Sequence, residues 1–185
     1  VIQMYNGVVY MDFDRALVEA MGHGRYERLD ASKMPKLYIA YDPKRAEESG
    51  KAHKKVKKLF QEKNADVIAA MAEFADIARR GREAILSGRL EEFPALVNAN
   101  FDLRDRIFTL AEENRRMVMT ARSAGASAKF AGSGGAIVGT YADDDQFVVL
   151  EKALAAIGCR SLKPRIATAE DETADLSAAA IWRNS

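Results

Sequence analysis

The 185-residue sequence holds one cysteine, Cys159, and two histidines, His23 and His53. A single thiol excludes an internal disulfide and fits a reducing compartment, so a cytoplasmic location is expected. Two histidines with no cysteine pair beside them fall short of most zinc sites, and no metal ligand is assigned. No apolar run approaches the ~20 residues that span a bilayer. The opening residues Val1-Ile2-Gln3-Met4-Tyr5 lack the basic start and apolar core of a secretory signal. Charge of one sign is missing too: the net charge of +1 provides no protein-wide field for nucleic acid. Neither a membrane nor a nucleic-acid partner is therefore expected. An initiating methionine is also absent, from which we expect a truncated or processed chain. What is present is an ordinary globular balance, 48% hydrophobic and 30% charged. The length suits one domain with a proper core, or one domain and a fragment of another.

β-branched and aromatic residues mark strands at 7–13, 25–29 and 36–41, the last set off by Pro35 and Asp42-Pro43. Four helices are expected next, over about 51–62, 65–87, 90–110 and 113–124. Asn64 caps the second and Gly88 stops it, while Pro94 falls in the first turn of the third. Beyond Gly125 the pattern reads strand (127–130), glycine loop, strand (136–141), helix (143–157) and strand (161–166). This order predicts an α+β architecture with a split βαβ, ferredoxin-like core and an inserted set of helices. The acidic, then alanine-rich tail from Thr168 reads as a short docking helix or a chain end.

The loop Gly132-Ser133-Gly134-Gly135 carries three glycines, which let the backbone turn through positive φ and admit another molecule closely. Alone, it is either a tight strand connection or a concave anion site. It is neither a Walker A loop nor a dinucleotide fingerprint. By strand alternation Ser127 and Lys129 share one face, so the lysine is either solvated or a point charge beside the loop. In the third helix Asn100 and Arg104, spaced i,i+4, fall within the apolar stripe of Phe93, Leu96, Val97, Phe101, Ile107 and Phe108. Such a polar pair is either satisfied internally or lines a cleft, whereas Asp102 phases to the solvated side. The basic run 51–58 reads as a solvated helix over a core face of Val56, Leu59 and Phe60. Its start at Ser49-Gly50-Lys51 favours an anion, with His53 nearby.

Ala128-Lys129-Phe130-Ala131-Gly132-Ser133-Gly134-Gly135, followed by a β-rich stretch, resembles the third motif of the GHMP kinases (galactokinase, homoserine, mevalonate and phosphomevalonate kinases). More closely, the chain looks like the C-terminal half of glucuronokinase-like sugar 1-kinases. The matching stretches are Tyr5–Phe13, Gly22–Tyr26, Ser49–His53, Asn100–Arg104 and Gly125–Phe130. The likeness implies a remnant of an N-terminal, nucleotide-binding domain in residues 1–34, a C-terminal GHMP domain in 35–167, and a tail in 168–185. It implies ATP and Mg2+ as cosubstrates and phosphoryl transfer to a sugar hydroxyl, with a glucuronate-like uronic acid favoured. Gly132, Ser133, Gly134, Gly135 and Lys129 would form the phosphate or nucleotide loop, with Asn100, Arg104 and Ser127 as substrate contacts. The family's Pro-rich Gly-Ser-Ser loop and catalytic acid would lie upstream, so no catalytic residue is assigned and Asp12 is not taken as a base. The chain alone is expected to be inactive and to form a homodimer through residues 1–34. A kinase for galactose or a heptose phosphate, and a non-catalytic sugar- or phosphate-binding regulator on this scaffold, are the alternative readings.

Overall fold

Val8–Asp12 (β1) pairs antiparallel with Arg25–Leu29 (β2), Tyr10 standing opposite Glu27. Between them lies a helix that the sequence reading did not contain, Arg15–Met21 (α1). The Asp14 carboxylate accepts from the Leu17 N–H at 3.2 Å, and Gly22 closes the last turn in the left-handed region. This seven-residue helix buries no residue, and its apolar Leu17, Val18 and Met21 span little more than one turn, too short for periodicity to mark.

The computed structural model describes residues 7–44, 50–132 and 134–167, with the backbone alone for 50–53. The expectations for Tyr5 and Asn6, Ser49, the His53 side chain, Ser133 and the tail from 168 lie outside the described residues. Two compact units divide at Met34/Pro35. The first holds β1, α1 and β2 together with Arg165–Ala167, and the second runs from Pro35 to Pro164.

In the second unit Leu37–Tyr41 (β3) is followed by Gly50–Gln61 (α2), Ala65–Ser87 (α3), Phe93–Ile107 (α4) and Glu112–Ser123 (α5). Lys129–Phe130 (β4), Ala136–Thr140 (β5), Asp144–Ala156 (α6) and Arg160–Leu162 (β6) complete it. The helix expected over 90–110 is split: a 3-10 turn at Leu90–Glu92 precedes α4, whose first turn holds Pro94. The four-stranded sheet has the order β4-β5-β3-β6 with every neighbouring pair antiparallel, Ile39 opposite Val138 and Ala40 opposite Ser161. β3 and β4 thus lie parallel with β5 between them, which is the split βαβ, ferredoxin-like arrangement.

One face of this sheet is covered by helices. Tyr38 and Ala40 from β3, Ile137 from β5 and Phe130 from β4 pack with Phe101 of α4, Val118 of α5 and Leu150 of α6, all nearly or fully buried. A second cluster of Ala70, Ile77, Leu96 and Leu103 joins α3 to α4. α4 therefore faces two cores at once, and this fixes which of its side chains remain for other work.

Candidate phosphate loop and adjoining cleft

β4 and β5 form a hairpin that the Ala131 N–H closes on the Ala136 carbonyl at 3.0 Å. Gly135 adopts φ 73°, a conformation that suits glycine. Its N–H donates to Asn114 Oδ1 (3.0 Å), and its carbonyl accepts from the Asp42 N–H (3.0 Å). At the other end of the hairpin, Asn98 Oδ1 accepts from the Ala128 N–H at 3.0 Å. Arg104 Nη1 donates to the Gly132 carbonyl at 2.8 Å. Side chains of α4 and α5 thus hold the strand and turn by their backbone groups at several points.

The cations are supported by aromatic faces. The Arg104 guanidinium lies 5.0 Å from the Phe130 ring centroid and 5.2 Å from that of Phe108. Phe130 meets Phe101 edge-on, and Arg122 stacks 5.0 Å over Phe101. Arg122 also donates to Asp102 (2.7 Å) and to the Asn98 carbonyl (2.9 Å), so it tethers α5 to α4. Lys129 is half-buried and its ammonium donates to the Phe130 carbonyl at 2.9 Å. Burial, and then the charge of Arg104 beside it, hold its pKa below the usual lysine range.

Asn100 and Arg104 line a cleft of about 820 Å³ between α2, α3 and α4. Met71, Phe74 and Phe108 give it apolar walls, and Lys54 and Lys57 add two cations from α2. Among the described residues that line it, none is acidic. The arrangement is chemically suited to an anion.

The expected site residues thus fall into three groups. Arg104 and Asn100 share the cleft, and Arg104 also reaches Gly132. Lys129 stands beside Arg104. Ser127 is placed elsewhere: it is 2% exposed, its hydroxyl exchanges a hydrogen bond with Thr140 Oγ1 (2.7 Å), and it accepts from the Thr140 N–H (2.8 Å). Tyr38 donates to its carbonyl at 2.8 Å. The regular strand begins only at Lys129, so the alternation expected from Ser127 does not apply, and its buried hydroxyl is engaged with Thr140.

Asn98, Asn114, Lys54 and Lys57 were missed. Asn114 carried a signal, since it occupies one stripe with Met117, Val118 and Ala121, at i, i+3, i+4 and i+7, all buried. An amide on a core stripe must have a partner.

No family model matches the chain. Among solved structures, L. major mevalonate kinase in complex with R-mevalonate superposes with a TM-score of 0.70 at 23% identity, over 88% of this chain and 51% of that one. Lactococcus lactis galactokinase complexed with galactose gives 0.57 at 18% identity, over 78% of this chain and 48% of that one. The fold is therefore the one these GHMP kinases share. Within it the sequence is glucuronokinase-like. It is 38% identical over 141 residues to Glucuronokinase 1 of Arabidopsis thaliana, covering 75% of this chain and 39% of the relative. It is 39% identical over 142 residues to Probable glucuronokinase 2 of the same plant, covering 75% and 38%. The chain thus spans about two-fifths of the length of the curated relatives it matches.

Proposed function

We propose that the chain forms the C-terminal part of an ATP-dependent sugar kinase that phosphorylates a hydroxyl of a uronic acid such as glucuronate. The observation that carries this reading is the placement of Arg104, which joins the glycine turn through Gly132 to the cleft it lines with Asn100. A sugar carboxylate in the cleft meets a planar guanidinium able to take two oxygens. Lys129 and the turn supply positive charge and backbone donors for the phosphate, so catalysis is positioning and charge stabilisation.

ATP and Mg2+ are proposed as cosubstrates of the intact enzyme. Among the described residues no three acidic, histidine or cysteine side chains cluster to hold a metal, so we assign no Mg2+ ligand here. The division into a nucleotide-domain segment up to residue 34 and a C-terminal domain from 35 is likewise a proposal, supported by the two compact units. Self-association is proposed through the first unit, supported by the exposure of Met11, Phe13 and Met21.

The test compares phosphorylation of glucuronate and galactose by the intact enzyme. Glucuronate is expected to be preferred, and Arg104→Ala to raise its KM about tenfold or more, the cost of a lost charge-assisted pair. An unchanged KM would remove Arg104 from substrate recognition, and a preference for galactose would remove the uronic acid.

A further inference from the structure

We propose that Asn114 is a positioning residue for phosphate binding, holding Gly135 so that this end of the turn is set before any ligand arrives. The inference rests on the reading of the turn as the phosphate loop.

Three constraints meet at Gly135: its positive φ, the bond from its N–H to Asn114, and the bond from the Asp42 N–H to its carbonyl. Both of its main-chain polar groups are thus committed within the fold. The Gly135 N–H is then not a phosphate contact, as the sequence suggested, but a fixed post on which the rest of the turn is built. Asn114 suits this role because it is 2% exposed and sits among Met117, Val118 and Ala121 on the buried stripe of α5. A long surface side chain would hold the turn loosely, whereas a short amide in a packed helix holds it within a narrow range. Asn98 does the corresponding work at Ala128, the far end of the hairpin. The helices therefore set where the turn stands.

Two measurements test this. In the 185-residue chain, Asn114→Ala should speed hydrogen exchange of the Gly135 amide about tenfold or more, read by NMR. Asn114→Asp, which keeps an oxygen at the same place, should retain the slow exchange. In the intact enzyme, Asn114→Ala should raise KM for ATP about tenfold and leave KM for the sugar within about twofold. Val118→Ala is the control: it removes packing from the same helix without touching the turn, and should lower Tm while leaving KM for ATP unchanged. Unaltered Gly135 exchange in Asn114→Ala would overturn the positional role. An equal rise in KM for ATP in Val118→Ala would reduce Asn114 to general packing. If exchange responds as expected and the intact enzyme phosphorylates no sugar, the kinase reading fails while the clamp stands.

Discussion

Lys129 carries its charge against two forces, partial burial and the neighbouring Arg104. An anion between these cations favours the protonated lysine, so binding takes up a proton at alkaline pH. Affinity is therefore full below the lowered pKa and falls as pH rises through it, at a lower pH than an ordinary lysine would show. Calorimetric titration of the chain with pyrophosphate between pH 7 and 10 should show this loss, and Lys129→Met should flatten it. A residue of the opposite kind is Tyr38, whose phenol is buried, with its pKa pushed up by desolvation, and donates to the Ser127 carbonyl. Tyr38→Phe should cost about 1–3 kcal/mol in urea unfolding, because it leaves a buried carbonyl without its donor. At this scale the sequence was legible where helical phase alone decides. Asn100 and Arg104 stood out inside an apolar stripe, and both line the cleft. The burial of Ser127 was not legible because its environment is set by Thr140, thirteen positions later, and no local period records that contact.

Long elements were legible where their ends carry chemistry. Asn64 and Gly88 bound α3 as expected, Asn64 accepting from the Val67 N–H at 3.1 Å. α1 escaped because its seven residues are too few to show a helical period, although Asp14 and Gly22 cap it. Close approach between strands left even less trace. Gly139 in β5 faces the Ser127 carbonyl so tightly that an added Cβ would lie 1.7 Å from that oxygen, and 2.8 Å from the Tyr38 ring. Both obstacles are held, the carbonyl by Tyr38 and the ring by the core. Gly139→Ala is therefore expected to cost more than about 3 kcal/mol or to abolish folding, as measured by thermal unfolding. Gly132→Ala makes the contrast, since its Cβ would meet nothing within 4 Å. It should leave Tm nearly unchanged.

For the molecule as a whole, the described lining of the cleft is apolar and cationic. As one part of the proposed enzyme, the purified 185 residues should show no ATP-dependent phosphorylation of glucuronate, and turnover above background would sink this expectation. Light scattering at high concentration should give a mass above the monomer's 20.4 kDa, in line with the exposed Met11, Phe13 and Met21. Among the described residues no helix is long and apolar enough to cross a membrane.

The strand order has a consequence for how the chain is made. β3 is synthesised before all four helices from α2 to α5, yet its partners β5 and β6 emerge roughly a hundred residues later. On the ribosome the strand must wait, with Tyr38 and Ile39 exposed, while α3 and α4 are free to pair at once through contacts near in sequence. Helical hairpin first, sheet last is the expected order. In refolding followed by pulsed hydrogen exchange, amides of α3 should gain protection before those of β3, and the nascent sheet should close only after Leu162 has cleared the exit tunnel.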